Sequence, residues 1–167
     1  MRVTALALAF TLLAPTAAVA APAWVLTPDG LGPLRIGMTV KQARAALGRE
    51  MASDDEFSES CKPYGVTGLE GLGLIFADGR LDSIDINLKA PWRTAAGIGL
   101  GDTEAAVRKA YGRAIVRTKN AYEDPPAAYL TIKGRHGRGI KFTTDSHRRI
   151  EAIDVGGESI SYIEGCA

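Results

Sequence analysis

The chain has 167 residues, 20 of them Lys or Arg and 19 Asp or Glu, for a formal net charge of +1. A balance this even implies no bulk electrostatic capture of nucleic acid or of an anionic membrane. With 46% hydrophobic residues, the length allows one full core or two small fused ones.

Residues 1–20 read as an export signal (signal peptide). Arg2 gives the positive start, Ala5 to Ala14 is apolar apart from Thr11, and Ala18-Val19-Ala20 provides a small-x-small cleavage pattern. The run falls short of the roughly 20 apolar residues a membrane span needs. The expected product begins at Ala21, periplasmic or secreted, with no transmembrane segment. No cysteine before Cys61 could carry a lipid anchor. In an oxidising compartment the two cysteines, Cys61 and Cys166, are expected to form a disulfide.

Residues 21–33 look like an irregular lead-in, and Leu34 to Met38 like a short extended segment. Thr39 then reads as a helix N-cap, with Gln42 closing a capping box. Val40, Ala43 and Leu47 form a narrow apolar stripe, and Gly48 stands where a left-handed helix terminus wants glycine. This passage is repeated. IGMTVKQARAALG (Ile36 to Gly48) returns as LGDTEAAVRKAYG (Leu100 to Gly112), so Thr103 caps a second helix, Glu104 suits its positive end, and Gly112 stops it.

GLGLIF (Gly71 to Phe76) likewise returns as GRGIKF (Gly137 to Phe142), and RLDSIDI (Arg80 to Ile86) as RIEAIDV (Arg149 to Val155). Three landmarks in one order argue a duplicated unit. Residues 34–96 form the first α/β repeat unit and 97–167 the second. Asp78-Gly79 between alternating runs signals a hairpin. Its second arm, Arg80 to Leu88, puts Ile84, Ile86 and Leu88 on one face and Ser83, Asp85 and Asn87 on the other. Ala128 to Lys133 is a further strand, Ala114 to Thr118 a weaker one, Asn120 to Ala127 a loop, and Ser159 to Ile163 a last edge strand. The expected class is α+β: two tandem units, each a short helix packed on an antiparallel sheet, whose strands could join in one curved sheet.

Catalytic chemistry finds little support. His136 and His147 fall in turns among Arg and Lys, with no orienting partner implied. Asp78, Asp82 and Asp85 do not share a strand face and do not match a calcium loop. Asp85 with Asp154 is a duplicated aspartate pair, and the plain interpretation is two solvent-facing strand positions. GIGLGDT (Gly97 to Thr103) lacks the lysine of a phosphate loop. No catalytic residue, cofactor or metal site is assigned. Among the few aromatics, one or two exposed on the polar face would make binding anchors.

The whole mature chain, most specifically GIGLGDTEAAVRKAYG through IEGC, resembles an uncharacterised family of exported bacterial tandem-repeat proteins. More distantly it is similar to the β-lactamase inhibitor protein, and the IGMT…LG opening to the small lipoprotein of the outer-membrane β-barrel assembly machinery. The resemblance implies fold, compartment and a bias toward binding, and it transfers no activity. The expected function is an exported soluble binding protein, with inhibition of an envelope enzyme as one form of it. Its partner would be a protein or an envelope component. The candidate face comprises Asp85, Asn87, Thr131, Lys133, Lys141 and Asp154. The alternatives are a small envelope hydrolase or glycan-modifying enzyme, and an accessory factor for envelope assembly.

Overall fold

A computed structural model describes residues 24–53, 57–58, 60–87 and 89–166; the expected export signal lies outside them. The chain opens with three short strands, β1 (Val25–Thr27), β2 (Gly30–Leu31) and β3 (Leu34–Arg35). The segment read as an irregular lead-in therefore holds two short strands, β1 and β2. Helix α1 (Val40–Leu47) follows, then β4 (Met51–Ala52), β5 (Cys61–Val66), β6 (Leu72–Ala77) and β7 (Arg80–Asn87). After the two-residue β8 (Arg93–Thr94) comes α2 (Glu104–Tyr111). The remaining strands are β9 (Ile115–Lys119), β10 (Ala128–Lys133), β11 (Gly139–Thr144) and β12 (Ile150–Gly156).

Both helices begin and end as their sequences dictate. Thr39 accepts from the Gln42 backbone N–H while the Gln42 side chain accepts from Thr39 N, and Gly48 terminates α1 at φ 61°. Thr103 accepts from Ala106 N at the start of α2.

The strands overturn the expected α+β class. The protein is mostly β, with two α-helices of eight residues each. It is not a pair of helix-on-sheet units. Eight strands form a single sheet in the order β4-β5-β6-β7-β12-β11-β10-β9, and β3-β2-β1-β8 form a second, four-stranded one. Two causes explain the error. β7 and β12 pair with each other, which removes any boundary between the two meanders. An eight-residue helix with a narrow stripe also covers too little of so wide a sheet. The small sheet does much of that work. Leu26, Leu31 and Leu34 are fully buried, with β1 set against β12 and β2 against β7. Its β8 comes from the end of the first repeat and pairs parallel to β1, beside the stacked rings of Trp24 and Trp92. The core between the layers holds Leu74, Phe76, Ile84, Ile86, Phe142, Ile153 and Val155.

A second correction concerns the C-terminus. Ser159 to Ile163 is no edge strand, because Glu158–Ser161 forms a 3-10 turn. The chain leaves β12 through Gly156, at φ 135° and so close to the Asp82 carbonyl that a Cβ would sit 2.2 Å from it. Only glycine permits that approach. The terminal segment then folds over the polar face and ends in the Cys61–Cys166 disulfide, Cα atoms 5.4 Å apart. Among the described residues no helix is long and apolar enough to cross a membrane.

Candidate functional site

The polar face of the large sheet is not open. Its floor is a cross-strand row in which Gly65 pairs with Gly73, Gly73 with Asp85, Asp85 with Asp154, Asp154 with Lys141, and Lys141 with Thr131. Directly paired residues of antiparallel strands point to one face, with Cβ atoms roughly 4.5–5.5 Å apart. One wall is the C-terminal strap. Ser159 Oγ donates to Ser83 Oγ at 2.7 Å, and Ser159 N to Asp82 Oδ2 at 2.8 Å. The other wall is the 120–127 loop, pinned where Ala121 N donates to the Tyr129 hydroxyl. Strap and loop meet at a hydrogen bond of 3.0 Å from Tyr122 Oη to Glu164 Oε1. Between them lies a cavity of about 400 Å³, lined among others by Gly73, Asp85, Tyr129, Lys141, Asp154 and Tyr162.

Electrostatics follow from two carboxylates sharing one lysine. Lys141 Nζ lies 3.2 Å from Asp154 Oδ2, with side chains 12% and 19% exposed. The same ammonium lies 5.6 Å from the centre of the Tyr129 ring and donates to the Tyr162 carbonyl. Burial pushes the Asp154 carboxyl up while Lys141 pulls it down. Asp85 instead has Asn87, whose Nδ2 donates to its Oδ1 at 2.7 Å. Burial, and next the charge of Asp154, push the Asp85 carboxyl up to about 7, against the pull of Lys141 and Asn87. Asp85 is therefore about half-ionised near neutral pH. Farther out, burial together with Glu123 and Asp145 raises Glu151. Asp85, Glu123, Glu151 and Asp154 face one lysine among the lining residues.

Of the face residues expected from sequence, Asp85, Asn87, Lys141 and Asp154 come together in one network. Thr131 continues the row and is half-buried, and Lys133 is exposed near the end of β10. Neither lines the cavity. Lys141 is paired and only 12% exposed, and Asp85 and Asp154 are not simple solvent-facing positions; the strap and loop cover them. Sequence reasoning missed Gly73 as an opening in the floor and the strap as a wall. The Gly156-Gly157 pair at the end of β12 was the available signal for a chain reversal. Among the described residues no group of three or more His, Cys, Asp or Glu could hold a metal ion. No family model matches this chain, nor does any curated protein or solved structure.

Proposed function

We propose that the protein is an exported binding protein whose ligand, a small polar group, enters the cavity above Asp85 and Asp154. One observation carries this reading: two half-buried carboxylates lie opposed on the cavity floor and share a single lysine. Isolated buried charge is costly, and a polar ligand would offset that cost. Export is supported by the apolar N-terminal run and the Cys61–Cys166 bond. Walls built by a strap and a loop suit a small group better than a broad protein interface.

Amide shifts of the isotope-labelled protein provide the test, using an amine, a neutral sugar and a dicarboxylate as probes. Saturable shifts confined to Gly73, Asp85, Tyr129, Asp154 and Tyr162 are expected for at least one probe. Shifts scattered over the surface, or none, would overturn the reading.

A second reading, a small glycan hydrolase, has a specific observation in its favour. A carboxyl titrating at about 7 beside a second carboxylate suits a general acid. Turnover of a chromogenic glycoside that disappears in Asp85→Asn would favour it over simple binding.

A further inference from the structure

The two halves of the sheet pair in matching registers, and they differ beside Asp85. Leu72 and Leu74 face Ile86 and Ile84 in the first half, as Ile140 and Phe142 face Val155 and Ile153 in the second. The bulges agree with this register. One opens between Ile75 and Phe76 at Asp82, the other between Thr143 and Thr144 at Glu151. In this register Gly73 occupies the place of Lys141. The sequence match of GLGLIF to GRGIKF had set Ile75 there, two residues away on the same face.

The second half thus gives its aspartate a lysine directly across the strand. The first gives Asp85 a glycine, with neither charge nor bulk. Gly73 is not at positive φ, so backbone conformation does not demand it. A Cβ there would come within 3.3 Å of Asp85 Oδ1, and beyond it a Cβ on Gly65 would meet nothing within 4 Å. The two glycines form a trough that leads to the floor carboxylate with no cation paired directly to it among the described residues. Glycine inside a strand commonly marks such a close approach.

We propose that the cavity takes an alkylammonium group, the side-chain chemistry of lysine, which lies over Gly73 and pairs with Asp85 as Lys141 pairs with Asp154. This rests on the cavity's being a binding site. Its occupant would bring the carboxylates and ammonium groups of the floor to equal numbers. The excess of Glu123 and Glu151 near the rim attracts the same sign. The charged and titratable groups around Asp85 are Asp154 and Glu151 from β12, Lys141 from β11, Tyr129 from β10, Tyr64 from β5, and Glu123, Tyr122 and Tyr162 from loop and strap; β6 contributes none. An ammonium pairs with the ionised carboxyl, so binding expels the proton that Asp85 holds. Affinity is expected to fall about tenfold between pH 8 and pH 6, the change in ionised fraction for a midpoint near 7.

The experiment is calorimetric titration of the whole exported protein with n-butylammonium chloride and with Nα-acetyl-lysine amide, at pH 6 and pH 8, in two buffers of different ionisation heat. Saturable binding with proton release is expected, absent in Asp85→Asn. Tighter binding of the lysine amide points to a partner's lysine, and equal binding to a free amine. Gly73→Lys, which supplies the missing lysine within the chain, should lose binding and melt higher at pH 8 than Gly73→Met. Affinity independent of pH, or unchanged in Asp85→Asn, overturns the proposal, as does tighter binding of Nα-acetyl-arginine amide. Binding of a neutral sugar alone would overturn it and leave the cavity reading standing. Absence of binding by every probe would remove both.

Discussion

Asp85 and Asp154 stand opposite each other on β7 and β12, and Lys141 serves only the second of them at short range. The consequence for stability has a definite sign. Unfolded Asp85 ionises near 3.8, whereas in the fold its carboxyl holds its proton to about 7. The folded state therefore binds the extra proton between these values, and stability falls as pH rises through that window. The gap corresponds to at most about 4 kcal/mol. Asp85→Asn is accordingly expected to melt higher than wild type at pH 8, with the difference fading below pH 4; a melting series over pH checks it. Lys141→Met does the opposite. Removing one partner of a shielded pair leaves Asp154 uncompensated beside Asp85, a loss of about 3–5 kcal/mol at neutral pH by denaturant titration. That loss should shrink as the carboxyls protonate in acid.

Elements fail or hold by their ends. Helix α2 begins at Thr103, whose hydroxyl accepts from Ala106 N, and its first residue, Glu104, is buried. Glu104 Oε1 accepts from Arg108 and from Arg117 of β9, which ties the helix to the sheet edge. Burial opposes ionisation of Glu104, but hydrogen bonds from these arginines prevail and hold its carboxyl below the usual range. Its contribution is therefore present at neutral pH and lost in acid. Thr103→Ala removes one cap and should cost about 1 kcal/mol; Thr103→Ser should restore most of it in the same denaturant titration. The strap's root is less forgiving. In Gly156→Ala the new Cβ meets the Asp82 carbonyl at 2.2 Å, at φ 135°. The loss should exceed that of Thr103→Ala and appear as early proteolysis after β12.

At the scale of the molecule, the Cys61–Cys166 bond spans 105 residues and holds the strap across the polar face. Closing a loop of this size is worth about 4.7 kcal/mol on the chain-entropy account, a large share of the roughly 5–15 kcal/mol a domain has in total. Reduction, or Cys166→Ser, is expected to lower the melting temperature. It should also weaken whatever the cavity binds, since Tyr162 and the Glu164 partner of Tyr122 lose their tether. Scanning calorimetry and ligand titration with and without reductant check both. A drop in melting temperature with unchanged ligand affinity would show that the strap stabilises the fold without shaping the site.

Local rules were legible in the sequence because they act between near neighbours. The Thr39–Gln42 box, Gly48, the Asp78-Gly79 hairpin and the alternation that puts Asp85 opposite in face to Ile84 and Ile86 are all settled within a few residues. The cysteine pairing followed from there being two in the whole chain. The class did not follow. Strands of two or three residues such as β1, β2 and β8 carry no readable period, and whether β7 and β12 meet depends on pairing between segments some 70 residues apart. That one pairing fuses the sheet, sets Asp85 beside Asp154, and turns two ordinary strand aspartates into a shielded pair. The two-residue shift that places Gly73 opposite Asp85 was likewise hidden, because slipping by two keeps every side chain on its face and leaves the hydrophobic pattern unchanged. Only the hydrogen-bonded register of the folded sheet, with its matching bulges, decided it.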